Sequence, residues 1–135
     1  MSSPSQDNIH LVRDVFHRWN TSGSPPPDDL IAPDFELHSP LAEVNGPYVG
    51  PGGVRAWVAD LNEAYGSFRF ELEELDKAPA GRVLALGRIE VEGRGPAAGL
   101  EQPAAWLIDV RDGRLARMQL FADQDTARAA AGAAH

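Results

Sequence analysis

A change of hydrophobic period partway along the chain predicts an α+β domain: a cone-shaped, curved antiparallel sheet wrapped around N-terminal helices, with an internal pocket. Three observations carry this expectation. Apolar residues recur at helical spacing in two segments of the first half. After Gly66 the period becomes two and stays there through four further segments. Short connections, one of them Asp112-Gly113, join these segments and predict consecutive hairpins. A strongly twisted sheet of that size curls around the helices it covers.

The elements follow in order. Residues 1–5 read as a loose tail. From Gln6 to Asn20, Ile9, Val12, Phe16 and Trp19 form one apolar stripe of a helix. Pro25-Pro26-Pro27 forbids its continuation. Asp28 to Ile31 reads as one helical turn opened by a proline and acids. Asp34 to Ser39 alternates as a strand and stops at Pro40. Residues 40–53 hold four glycines and three prolines, so they predict a long shaped loop. Val54, Trp57, Val58, Leu61 and Tyr65 mark the buried stripe of a second helix, with Arg55, Asp60, Asn62 and Glu63 on its other face. Strands are expected at Ser67–Leu75, Arg82–Glu92, Leu100–Val110 and Leu115–Ala122. Pro103 implies an edge or a bulge near the start of the third of these. Residues 124–135 read as an alanine-rich tail in the form of a frayed helix.

Length and composition bound the function. A chain of 135 residues fits one domain, 1–135, and 43% hydrophobic residues can bury a core without staples. Cysteine is absent, which excludes disulfides, thiolate metal sites and cysteine nucleophiles and fits a reducing cytoplasm. No signal peptide is readable, and no apolar run approaches the ~20 residues of a spanning helix. The net charge of −8 and the single lysine, Lys77, argue against nucleic acid and anionic membrane as partners. No pair of histidines sits with an acid at ligand spacing, so no metal and no cofactor are expected. The glycines at 46, 50, 52 and 53 lack the Lys-Ser/Thr ending of a phosphate loop. They read as bending a loop over the pocket mouth, with Tyr48 as part of a lid.

Several strings, in order along nearly the whole chain, resemble the SnoaL-like branch of the nuclear-transport-factor-2-like superfamily. They are Phe16-His17-Arg18-Trp19-Asn20, Pro33-Asp34-Phe35-Glu36-Leu37-His38, Gly53-Val54-Arg55-Ala56-Trp57, Arg82-Val83-Leu84-Ala85-Leu86-Gly87-Arg88 and Arg111-Asp112-Gly113-Arg114. The resemblance implies the cone fold, a two-fold homodimer through the sheet, and chemistry ranging over polyketide cyclases, ketosteroid isomerases and limonene-type epoxide hydrolases. Such a fold hosts many activities, so the site must decide among them. The isomerase pattern is absent: Ser39 precedes Pro40 where an Asp is needed, Trp19 and Asn20 stand in the region of the tyrosine, and Trp106 replaces the second acid. Arg88-Ile89-Glu90 resembles the Arg-x-Asp of the epoxide hydrolases, with Glu for Asp, and Phe121-Ala122-Asp123 resembles their late acid. The cyclases also use a late acid as general acid/base, which again points to Asp123.

Strand parity sorts the remaining candidates. Leu84, Leu86, Arg88, Glu90 and Glu92 share one face of their strand, which reads either as a pocket wall with a charged end or as an outer face running into water. Glu36 and His38 share a face opposite Phe35 and Leu37. Turned inward they would form a proton-transfer pair; turned outward, His38 is exposed or at an interface. Asp123 is either an acid/base group at the cone mouth or a helix N-cap. Trp19, Tyr48, Trp57, Trp106 and Phe121 sit on converging elements, as plain core or as the flat walls of a ligand cavity. Gln119 shares its parity with Phe121. The expected function is a cofactor-free acid/base enzyme of cyclase, isomerase or hydrolase type acting on a small cyclic or apolar metabolite, with Asp123, Arg88, Glu90 and His38 catalytic. The alternative is a non-catalytic ligand-binding or dimeric interaction domain.

Overall fold

The computed structural model describes residues 4–22, 28–38, 48–65, 67–78, 81–92, 99, 101–121 and 123–133. Helix α1 (Pro4–Ser22) is followed by a 3-10 turn (Asp28–Leu30), β1 (Ile31–His38), β2 (Tyr48–Val49) and α2 (Gly50–Tyr65). Strands β3 (Ser67–Ala78), β4 (Arg82–Glu92), β5 (Glu101–Arg111) and β6 (Arg114–Phe121) and helix α3 (Gln124–Ala133) complete the order. The expected Ser39 end of β1, the loop over 40–47 and most of the Gly93–Gly99 connection lie outside the described residues. So do the side chains of Leu61 and Tyr65. No helix among the described residues is long and apolar enough to cross a membrane.

The six strands form one open sheet in the order β2-β1-β6-β5-β4-β3. The meander from β3 to β6 is antiparallel, as the hairpin signals predict. Its tightest turn puts Asp112 and Gly113 at φ of 54° and 75°, the left-handed pair that Asp-Gly supplies to a two-residue hairpin. Local periodicity did not reveal the return of the first strand: β1 lies parallel to β6, and β2 pairs with its outer edge. Pro103 faces Arg88 of β4 near the start of β5, and among the described residues the pairing of β5 with β6 begins at Ala105.

Both helices of the first half lie on the concave side, α1 along β3 and β4, α2 along β1, β2 and β3. Helix α2 begins at Gly50, four residues before its apolar stripe, because Pro51 fits the first helical position. The glycines at 50, 52 and 53 thus belong to a helical turn and not to a loop. Val12, Val15 and Phe16 of α1 and Val54 and Trp57 of α2 meet Phe35, Leu37, Phe70, Val83, Ala85, Ile89, Val91, Trp106, Ile108 and Met118 in the main core. The sheet bends where β3 crosses Gly87. The register of β3 slips by one residue between Leu72 and Glu74, a bulge that deepens local twist. A Cβ on Gly87 would stand 2.0 Å from the Glu71 carbonyl oxygen, so only glycine admits this approach.

The expected C-terminal helix forms, and it is docked rather than frayed. Leu84 and Leu86 of β4 and Ala105 and Leu107 of β5 form a second apolar cluster on the convex face with Ala127 and Ala131 of α3. A helix of ten residues is marginal alone. Full burial of each leucine stabilises by about 1.5–3 kcal/mol, and that face needs a cover. Polar contacts then fix the cover at both ends. Gln124 Nε2 donates to Gly87 O at 3.1 Å and Ala104 O at 3.3 Å. Arg82, the one buried charged residue among those described, donates to Ala131 O at 2.6 Å, close to the C-terminus of α3 where a cation is favoured. Asp123 caps the N-terminus: its carboxylate accepts from the Thr126 hydroxyl at 2.6 Å and from the Asp125 and Thr126 backbone N–H groups at 3.2 and 3.3 Å.

Two predictions follow from these contacts. Gly87→Ala should destabilise the fold by about 3 kcal/mol in chemical denaturation, because neither the Cβ nor the β3 carbonyl can yield cheaply. A change below about 0.5 kcal/mol would show that β3 does not press on Gly87. The second concerns pH. The Thr126 hydroxyl, and after it the Asp125 backbone N–H, hold the Asp123 carboxyl below its ordinary value. A depressed folded-state pKa adds stability that is fully present above the unfolded value and is lost as pH falls through the folded one. Wild type should therefore protect the α3 amides better than Asp123→Asn at neutral pH, the two converging in acid. Asp123→Ala should lose protection at every pH. Equal exchange in all three would refute the cap.

Candidate functional site

The concave side gathers the aromatic residues. Helical spacing puts Phe16 and Trp19 on one face of α1 and Trp57 on the inner face of α2, while parity turns Phe70 of β3 and Trp106 of β5 toward them. The Trp19 and Trp57 rings meet edge to face at 5.1 Å, and Trp57 and Trp106 do so at 5.5 Å. Phe16 stands 5.0 Å from Phe70 and 6.4 Å from Trp106, and Phe70 lies 6.5 Å from Trp106. The three indoles thus run from half-buried Trp19, near the end of α1, to fully buried Trp106 in the middle of the sheet. Such T-shaped contacts add about 0.5–1.5 kcal/mol each beyond burial.

Among the described residues, polar side chains of α1 and α2 meet this side. Asn20, next to Trp19, donates from Nδ2 to the Phe70 carbonyl at 2.8 Å. That bond fixes which end of the amide is which, and leaves Asn20 Oδ1 buried without a donor. Trp106 Nε1–H is likewise buried without an acceptor. Tyr48 is not part of a lid. It sits in β2 opposite Leu37, joins the main core, and its hydroxyl donates to Asp60 Oδ2 at 2.6 Å. Asp60 lies one turn beyond Trp57, which brings it round toward Tyr48 rather than leaving it wholly on the polar face of α2. Phe16 and Phe70 could be read into the site from stripe and parity; the roles of Asn20 and Asp60 need the strand packing.

The charged candidates stand on the other side of the sheet. Val83, Ala85, Ile89 and Val91 take the concave face of β4, so Arg88 and Glu90 are turned to the convex face. Burying them would require desolvating charges that four apolar neighbours need not. Arg88 pairs there with Glu101 and with Glu73, the latter at 3.4 Å, all exposed by two-fifths or more. Phe35 and Leu37 likewise win the inside of β1, leaving Glu36 and His38 outside with His38 Nε2 3.2 Å from Glu36 Oε1. Gln119 pairs with Leu107 and Phe121 with Ala105, both of the convex cluster, so neither lines the interior. Asp123 is exposed and spends its carboxylate on the α3 cap. With a depressed pKa it is ionised at neutral pH and is not a proton donor. Of the eleven candidate residues, Trp19, Tyr48, Trp57 and Trp106 share the concave side. The Arg88, Glu90 and Asp123 constellation expected from the epoxide-hydrolase resemblance is not assembled there. Among the described residues, no three His, Asp or Glu side chains converge as metal ligands do.

Solved structures share this architecture. Bal32a, from a soil-derived mobile gene cassette, superposes with a TM-score of 0.76 at 21% identity over 91% of this chain and 95% of its own. TerC, co-crystallised with polyporic acid, gives 0.70 at 20% identity over 91% and 96%. A protein from Jannaschia sp. CCS1 assigned as a SnoaL-like polyketide cyclase gives 0.68 at 19% identity over 100% and 98%. At these identities the likeness is one of fold. No curated protein matches the sequence. The SnoaL-like domain family matches residues 12–118, and with the open sheet and its cover of helices this chain belongs to the SnoaL-like domain family.

Proposed function

We propose that this chain binds a small, uncharged, cyclic ligand on the concave face of its sheet, against Trp19, Trp57 and Trp106, and acts as a ligand-binding module. One observation carries the reading: the buried concave cluster is apolar and aromatic, while Asp123, Arg88, Glu90 and His38 all stand outside it. Flat aromatic walls suit a flat ring system. The net charge of −8 disfavours an anion, and the one buried cation described, Arg82, serves α3 on the opposite face. TerC, co-crystallised with polyporic acid, is a structural neighbour that supports small-molecule binding in this fold.

A second reading, a cofactor-free acid/base enzyme of cyclase or isomerase type, rests on the Tyr48–Asp60 hydrogen bond, which brings an ionisable pair to the edge of the buried cluster. A phenol held on a carboxylate can exchange a proton with an enolising substrate. The two-fold dimer is also a proposal: α3 occupies the β4–β6 part of the convex face, which leaves the surface around exposed Val49 for a partner copy.

The readings separate in one set of titrations. Neutral bicyclic compounds should quench tryptophan fluorescence saturably. Trp57→Ala should weaken binding by about 1.4 kcal/mol or more, a factor of ten. Asp123→Asn, Arg88→Gln and His38→Ala should bind as wild type does. Turnover of a bound compound that disappears in Asp60→Asn, with binding kept, would establish the enzyme reading instead. Loss of binding in the convex-face variants alone would overturn the site.

A further inference from the structure

Gln124 of α3 holds two strands at once. Its side-chain amide donates to Gly87 O of β4 at 3.1 Å and to Ala104 O of β5 at 3.3 Å, and these two residues face each other in the β4–β5 ladder. Gly87 shares its parity with Ala85 and Ile89, so its missing Cβ points to the concave side, where it would stand 3.1 Å from the tip of the Phe70 ring. Ala104 is buried in the same core, two residues along β5 from Trp106. The rung that α3 grips from the convex face is therefore the rung against which the aromatic cluster packs. The rest of the grip is slight. The apolar contacts of α3 are alanine methyls, Ala127 and Ala131 with half-buried Ala130, laid over leucines. Its other described ties to the sheet are Arg82 on Ala131 O at 2.6 Å, at the far end, and the exposed Arg128–Glu74 pair at 3.9 Å. A helix of ten residues does not persist alone, and an element with few apolar contacts opens as a unit before the whole fold does.

We propose that α3 is a releasable latch on the convex face, set by the packing of the concave face, with the Gly87–Ala104 rung as the joint between them. With Phe70 and Trp106 seated behind the rung, both carbonyls stand where one amide nitrogen reaches them. A shift of those rings tilts the rung, parts the carbonyls and leaves Gln124 with one bond or none. Helix α3 then opens and uncovers Leu84, Leu86 and Leu107. The linkage runs both ways, so a change that frees Gln124 also acts on the aromatic packing. A molecule bound against the tryptophans would trip the latch, but the linkage itself does not rest on that binding reading.

Hydrogen exchange and the Trp106 indole N–H signal, read on the intact protein without any ligand, test this. In wild type the α3 amides should exchange through an opening that leaves β4 and β5 protected. Phe70→Leu should lower α3 protection by about fivefold, the worth of one net hydrogen bond. Leu115→Val, in the same core but paired with Val110 at the other end of β5, should leave α3 protection unchanged, although both variants lower global stability. In the reverse direction, Gln124→Ala should move the Trp106 indole signal, whereas Arg82→Met should loosen α3 without moving it. Gln124→Ala removes no atom of the concave core, so it carries the test if Phe70→Leu does not fold. Wild-type α3 amides that exchange only with global unfolding would overturn the latch. An α3 that opens alone but responds equally to Phe70→Leu and Leu115→Val, or a Trp106 signal blind to Gln124→Ala, would overturn the joint. Neither result touches the binding reading, which stands or falls on the titrations above.

Discussion

Strand β4 buries side chains on both of its faces for half its length, and the placement of every other element follows from how it does so. Val83, Ala85, Ile89 and Val91 point to the concave side, where α1 and α2 cover them, and Leu84 and Leu86 point to the convex side under α3. Side chains alternate strictly along a strand, so fixing the first set fixes the second. A one-residue slip would put Arg88 and Glu90 among the tryptophans and the valines in water. The charged end of the strand is therefore committed to the surface by its apolar end. Gly87 marks the change of environment and lets β3 close over the concave face at its bulge.

The convex charges then have a structural account. Arg69 with Glu71, and Arg88 with Glu73 and Glu101, lie on strands β3 to β5 beyond the reach of α3. Exposed pairs of this kind contribute about 0–1 kcal/mol each, so they do little for stability. Their position matters more: β3 is an edge strand, and charged side chains with Asn20 on the Phe70 carbonyl discourage a further strand from adding to it.

Most of the fold was legible because its signals are local. The stripe of Val12 and Phe16, the stripe of Val54 and Trp57, and the period-two runs from Ser67 onward lie within single elements, as does the Asp112-Gly113 turn. What could not be read was pairing between distant segments: β1 beside β6, β2 beside β1, and α3 against Leu84 and Leu86. Alanines at 127 and 131 look like a frayed tail until a sheet face is known to lie beneath them. The site was legible to the same extent. Trp19, Trp57 and Trp106 belong to apolar sets whose direction is decided by burial. The parity of Arg88, Glu90, Glu36 and His38 was readable, but its sign was not, because both faces of β4 carry leucines or valines. Nor does sequence tell a cap from a catalytic acid at Asp123; that needs the distances to Thr126.

The account turns on which face of the sheet meets the ligand. Three tryptophans give three indole N–H signals in a nitrogen–proton correlation spectrum, and Trp106 can be assigned by substitution. On titration with a neutral bicyclic compound, the indole N–H signals of Trp19, Trp57 and Trp106 should shift progressively, while the amides of His38, Arg88 and Gln119 stay in place. A Trp106 signal that does not move, with shifts centred on His38, Arg88 and Glu90, would place the ligand on the convex face and contradict the account.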